Sequence, residues 1–251
     1  MKREELLSET FVSLADTLVD DFDVIEFLSL LCERCVELFD AEAAGVMLAG
    51  APGDVLQLMA SSSERMRLIE LFEIQGDEGP CPDCYRTGKA VGEADLEATA
   101  VRWPAFSVEA LGAGFRAVYA LPMRVRGEVV GALNLFRNQV GALPEADLRA
   151  AQALADVATL GILQHRIQSD SRSLSEQLQH ALNSRVVIEQ AKGMVAERSK
   201  IGMDEAFSVL RNYARHHNRH LSDVARDVTD GTLPADALAK TGGSTGRRMS
   251  A

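Results

Sequence analysis

The stretch from Asn183 to Gly231, NSRVVIEQAKGMVAERSKIGMDEAFSVLRNYARHHNRHLSDVARDVTDG, combines three short apolar stripes at helical spacing with a concentration of Arg, Lys and His found nowhere else in the chain. Residues 184–251 hold 11 Lys and Arg against 8 Asp and Glu, leaving 15 basic and 29 acidic residues ahead of them. A chain of net charge −11 therefore divides into a body of −14 and an end of +3, and three of its five His lie in that end. Phosphate binding needs local rather than global positive charge, so the asymmetry points to nucleic acid; a merely solvated helical surface is the plain alternative.

Val187, Ile188, Ala191 and Val195 recur at helical spacing, and neither Pro nor Gly interrupts the chain between Gly161 and Gly193. The pattern predicts one long helix reaching Ala196 or beyond, broken at Lys200-Ile201-Gly202. A second helix is expected from about Met203, with Asp204 and Glu205 favouring the positive end of its dipole and Ala206, Phe207, Leu210 and Ala214 as its stripe. Asn218 is expected to cap a third helix with Leu221, Val224, Ala225 and Val228 inside and Gly231 at its end. Such stripes enclose one small core and leave Lys192, Arg198, Lys200, Arg211, Arg215, His216, Asn218, Arg219 and His220 outside, with Gly193 letting a nucleotide approach the backbone.

The phrases IEQAKGMVAER, DEAFSVLRNYA and LSDVARDV, in this order, resemble the ANTAR domain, the RNA-binding antitermination module of bacterial regulators. The resemblance implies a domain that holds paired RNA stem-loops and so prevents a competing terminator hairpin. It carries over to Ala191, Lys192, Gly193, Ala206, Phe207, Arg211 and Ala225, whereas Ala214 stands where the family commonly has Ser. The candidate RNA-binding set is Ala191, Lys192, Gly193, Arg198, Ala206, Arg211, Arg215, Asn218 and Arg219, with Lys192 and Arg211 as the leading phosphate or base contacts. Ala206 and Phe207 also lie on the predicted apolar stripe, which makes them core candidates.

The body, roughly residues 10–165, has another rhythm. A helix is expected over Phe22–Phe39 with Asp23 and Glu26 as a capping pair, then strands Ala44–Leu48 and Val55–Ala60 around a turn, and a helix Ser63–Ile74. A loop from Gly76 to Pro80 opens the short helix CPDCYRTG; Ala90–Ala94 extends, Ala105–Ala113 is helical, Arg116–Val125 and Glu128–Phe136 form a hairpin, and Glu145–His165 closes the unit. Helices bracketing an antiparallel sheet make an α+β arrangement. Together with GPCPDCYRTGKAV and ALPMRVRGEVVGALNLF, that order resembles a GAF domain, a sensory module that binds small molecules or serves as a dimer interface. The resemblance leaves the ligand, if any, unchosen, and Trp103 and Tyr85 read either as cavity lining or as core.

Four cysteines fall as Cys32-x-x-Cys35 and Cys81-x-x-Cys84. Cys32 and Cys35 read as small hydrophobes of a helix core. Cys81 and Cys84 sit at an expected helix N-terminus, which lowers a thiol pKa, so a redox switch and a metal site stand beside the structural reading.

Leu160, Ile167, Leu174, Ala181 and Ile188 repeat every seven residues, interrupted by polar Asp170 and Gln177, which predicts a marginal parallel coiled coil. His180 on that long helix is reminiscent of a kinase phosphoacceptor, but no Gly-rich nucleotide site follows it. No catalytic constellation is present either, so the chain is expected not to be an enzyme. MKREELLSET is charged rather than apolar, and the longest apolar run is broken by Asp156, so neither signal peptide nor membrane span is expected and the chain is placed in the cytoplasm. The expected division is a GAF-like sensor over 1–165, a coiled-coil linker over 166–183, the RNA-binding domain over 184–234 and a flexible tail over 235–251 bearing Arg247 and Arg248. The function expected is a homodimeric regulator that prevents transcription termination by binding paired stem-loops, under control of a sensor with an unknown small-molecule ligand. The rivals are a DNA-binding regulator with the same input domain and a redox or ligand sensor acting through protein partners.

Overall fold

A computed structural model describes residues 3–17, 23–49, 54–125, 127–168, 174–234 and 238, without the side chains of 125 and 163–181. The chain divides into two compact units, residues 1–180 and 181–251. In chain order the elements are α1 (Arg3–Thr17), α2 (Val24–Phe39), β1 (Ala43–Ala49), β2 (Leu56–Ser61), α3 (Glu64–Gly76), α4 (Pro80–Thr87), β3 (Val91–Glu93), α5 (Pro104–Gly112), β4 (Ala117–Val125), β5 (Glu128–Arg137), α6 (Glu145–Gln168), α7 (Leu174–Ser199), α8 (Met203–His216) and α9 (Leu221–Thr229).

The first unit is one five-stranded antiparallel sheet in the order β2-β1-β5-β4-β3. β1 is buried at all seven positions because helices cover both faces of the sheet. On one face Ala43, Met47, Ala132 and Phe136 meet Met66 and Ile69 of α3, Cys81 and Cys84 of α4, and Phe106 of α5. The period-two alternation turns Val46, Leu48, Leu133 and Leu135 to the opposite face, where α2 and α6 pack.

Local chemistry sets the boundaries. Asp23 caps α2, accepting from the amides of Ile25 at 2.9 Å and Glu26 at 3.2 Å, and Ser63 caps α3, accepting from Met66 at 3.3 Å. α2 and α3 end on Asp40 (φ 49°) and Asp77 (φ 48°), short side chains that tolerate the left-handed region. α1 lies outside the sequence expectation because its face is thin: only Thr10 and Leu14 are buried, and it is held against α2 and α6 with Arg3 paired to Asp147 at 2.6 Å.

In the second unit the expected stripes form the interior, except that Val187 and Phe207 are only half-buried. Ile188, Ala191 and Val195 of α7, Ala206, Leu210 and Ala214 of α8, and Leu221, Val224, Ala225 and Val228 of α9 are all buried. Asn218, expected as the third helix's N-cap, is instead the residue just past the end of α8. It adopts φ 50°, its amide bonds the Arg215 carbonyl at 3.2 Å, and the Arg219 amide bonds the Ala214 carbonyl at 2.9 Å. That pair of bonds is a Schellman ending, which uses Asn for its left-handed tolerance; the α9 N-cap is His220. Leu238, within the stretch expected to be a tail, is buried, while 235–237 and 239–251 lie outside the described residues, as does Asp170 of the seven-residue seam. The Ile167, Leu174, Gln177, His180 and Ala181 side chains also lie outside them; Leu160 is exposed and Ile188 buried.

Gly131 of β5 pairs with Leu48 of β1 and lies so close to that strand that a Cβ would stand 2.1 Å from the Met47 carbonyl oxygen and 2.6 Å from Leu48 Cδ2. Gly131→Ala is therefore expected to cost about 3 kcal/mol or more, the upper end for overpacking. Gly112→Ala, whose Cβ would meet nothing within 4 Å among the described residues, should stay within about 1 kcal/mol of the parent. Equal urea midpoints for the two variants would contradict this sheet register.

Candidate functional site

Two polar constellations stand apart from the apolar framework, one in the core of the sensor unit and one on the surface of the basic unit. In the first, α3 carries Glu70 and Glu73 in phase with Met66 and Ile69, so both carboxylates enter the core and are fully buried. Glu70 Oε1 accepts from Asn134 Nδ2 of β5 at 3.2 Å, and Glu73 Oε1 accepts from the Cys81 amide, in the first turn of α4, at 2.7 Å. The Glu73 carboxylate thus serves the helix N-terminus that Gly79, lacking a side chain, leaves uncapped. Gly79 is required there: its φ is 143°, and a Cβ would lie 2.4 Å from Glu73 Oε1.

This arrangement corrects the expectation for Cys81. The helix N-terminus does not activate its thiol: burial, then the Glu73 and Glu70 charges, push it well above the ordinary range, against the opposing hydrogen bond from Asn134. Burial likewise raises Cys84 to about 12 and Cys35 to about 12. A thiolate is the nucleophile in thiol chemistry, and these sites favour the protonated form. All four cysteines are buried and outside any disulfide, and among the described residues no group of three or more His, Cys, Asp or Glu is placed to hold a metal ion. Trp103 is core, 3% exposed, its indole donating to Asp83 Oδ2 at 3.0 Å. Burial raises the Asp83 carboxyl, but hydrogen bonds from Arg86 and Trp103 and the charges of Arg86 and Arg102 outweigh it and leave the group below its usual range.

The second constellation also departs from expectation. Lys192, placed outside by its charge, is 5% exposed, because it follows Ile188 by four residues and joins the buried stripe of α7. Its ammonium pairs with Glu189 Oε2 at 3.0 Å and sits 5.9 Å from the Phe207 ring, which Arg211 approaches from 5.7 Å. Ala191 and Ala206 are wholly buried, so their side chains pack the core rather than face a ligand. Arg198, Arg215, Asn218 and Arg219 are exposed, and Gly193 and Arg211 half-buried. Arg219 is anchored to Asp227 at 2.7 Å, a bond that raises the Arg219 pKa and lowers that of Asp227. From Arg211 to His220 there are three Arg, three His and no acidic residue.

Burial pushes the Glu73 carboxyl well above the carboxylate range, the Cys81 amide opposes the shift, and Glu70 and Asp83 add to it. Folded Glu73 therefore holds its proton more tightly than unfolded Glu73, so stability falls as pH rises from the unfolded carboxyl range toward the raised folded value. Glu73→Gln keeps an oxygen for the Cys81 amide without a charge to desolvate. It is expected to melt above the parent near neutral pH, with the gain fading below about pH 4. Parallel melting profiles across that range would be incompatible with a carboxylate confined in this core.

The chain matches the GAF domain model over residues 23–162 and the ANTAR domain model over residues 176–228. No curated protein matches it. Among solved structures it is similar to the GAF domain of a phosphoenolpyruvate-protein phosphotransferase from Acinetobacter, at 13% identity and TM-score 0.52, over 68% of this chain and 100% of that one. It is similar too to a free methionine-R-sulfoxide reductase from Neisseria meningitidis, at 19% identity and TM-score 0.52, over 66% of this chain and 90% of that one. A third likeness is the GAF domain of a phosphotransferase from Coxiella burnetii, at 17% identity and TM-score 0.52, over 67% and 97% of the two chains. These likenesses are of fold. With more than half of its residues in the first match and the second module behind it, the chain belongs to the GAF domain family and is a GAF-ANTAR regulator.

Proposed function

We propose that this regulator is a non-enzymatic, cytoplasmic, homodimeric RNA-binding protein that prevents transcription termination by holding paired stem-loops, under control of its sensor domain and a small-molecule signal. The observation that carries the reading is Gly193. A glycine inside a helix costs about 1 kcal/mol against alanine. Yet a Cβ at Gly193 would meet nothing within 4 Å among the described residues, so packing among those residues gives no reason for it. A gap kept open at that cost suits close approach by something outside the chain. The half-buried Arg211 and exposed Arg198 and Arg215 supply cations for a phosphate backbone in the same unit.

Gel-shift titrations of the full chain with hairpin RNAs, with duplex DNA as competitor, test the proposal. The parent should retain hairpins and release the duplex. Gly193→Ala should raise stability by roughly 0.5–1 kcal/mol and yet weaken hairpin binding about tenfold, or 1.4 kcal/mol. Arg211→Ala should reduce the salt dependence of binding by about one phosphate contact. Retention of the duplex with indifference to hairpins would favour the DNA-binding reading. A Gly193→Ala chain that gains stability and keeps its affinity would remove that position from the interface.

A further inference from the structure

We propose that the Tyr213–His217 ring pair at the end of α8 is a stacking platform for one unpaired base of an RNA loop, an assignment that rests on the RNA-binding reading above. The two rings, one helical turn apart, are 3.9 Å between centroids and inclined by 22°, and His216 stands edge-on to His217 at 5.3 Å and 77°. His217 is exposed and Tyr213 half-buried, while the inner side of α8 is made by Ala206, Leu210 and Ala214. The stack is therefore outside the core, and His217 is its more exposed ring.

That imidazole is held in place. His217 Nδ1 lies 2.8 Å from the Tyr213 carbonyl oxygen, and since a carbonyl only accepts, Nδ1 donates. Nε2 is then the edge left to address a neighbouring base, as an acceptor while the ring is neutral. The Schellman ending at Asn218 and the Arg219–Asp227 ion pair at 2.7 Å fix the backbone that carries the ring. A base added to the outer face of His217 would extend the stack to three rings, and ordering it would require little rearrangement of the protein. Any base has a π-face, and a flat ring on a segment that carries three Arg and three His, of which Arg219 is paired with Asp227, has the composition that single-stranded nucleic-acid sites use. A paired stem offers no such free face, so the platform addresses the loop.

The test uses the full chain and a pool of RNA hairpins with one constant stem and a randomised loop. Loops retained by the parent are measured again with His217→Ala and with His217→Tyr, which restores a ring. Each is also measured with 2-aminopurine placed in turn at every loop position. The expected result is a loss on the order of tenfold for His217→Ala, recovery of most of it in His217→Tyr, and quenching at one loop position that disappears only in His217→Ala. Parent and His217→Ala chains that bind the same loops equally, with the same quenching, would overturn the platform and leave the RNA-binding reading standing. A parent that retains no hairpin would overturn both. If His217→Ala melts early, the Tyr variant decides alone: lost quenching there overturns the platform, and retained quenching supports it.

Discussion

The sheet of the sensor unit has helices on both faces, and that constraint governs most of what surrounds it. β1 and β5 run side by side at the centre, close enough at Gly131 and Met47 that no side chain fits between them. Every polar group that enters such a core must bring a partner with it or hold its proton. Asn134, on the α3 side of β5, meets Glu70, and Glu73 meets the free amide at the start of α4. The carboxylates thereby tie the sheet to α3 and α3 to α4, and the same low-dielectric surroundings raise the thiol of Cys81.

The basic unit solves a smaller problem by a different route. Its core is mostly alanine, valine and leucine, so its helices supply little apolar area each, and the ends are fixed by backbone geometry instead. α7 turns out through Lys200 at φ 57° and α8 through Asn218 at φ 50°. These tight endings put Arg215, His216, His217, Asn218 and Arg219 on one short exposed segment without using any of them in the core. Lys192, by contrast, is folded along the apolar stripe beside Phe207 and is buried.

Helix starts were legible where a capping side chain advertised them, as with Asp23 before α2, and the strands where apolar runs were bounded by Gly and Pro. α1 was not, since two buried residues leave almost no periodic signal. Asn218 is ambiguous in the sequence because Asn suits both a helix start and a left-handed helix ending, and only the bonds from Asn218 and Arg219 back to α8 distinguish them. The burial of Glu70 and Glu73 is masked in the sequence because a charged residue in a helical pattern reads as solvent-facing, although their spacing from Met66 and Ile69 carries the signal.

The order of elements, the two modules and the separation of an acidic body from a basic end follow from the sequence, because periodicity, caps and charge are local properties of the chain. Which charges face water does not. Burial of Lys192 and the two glutamates, the raised thiol of Cys81 and the stack of Tyr213 on His217 each depend on neighbours brought together in space. Desolvation and ring geometry exist only once those neighbours are in place.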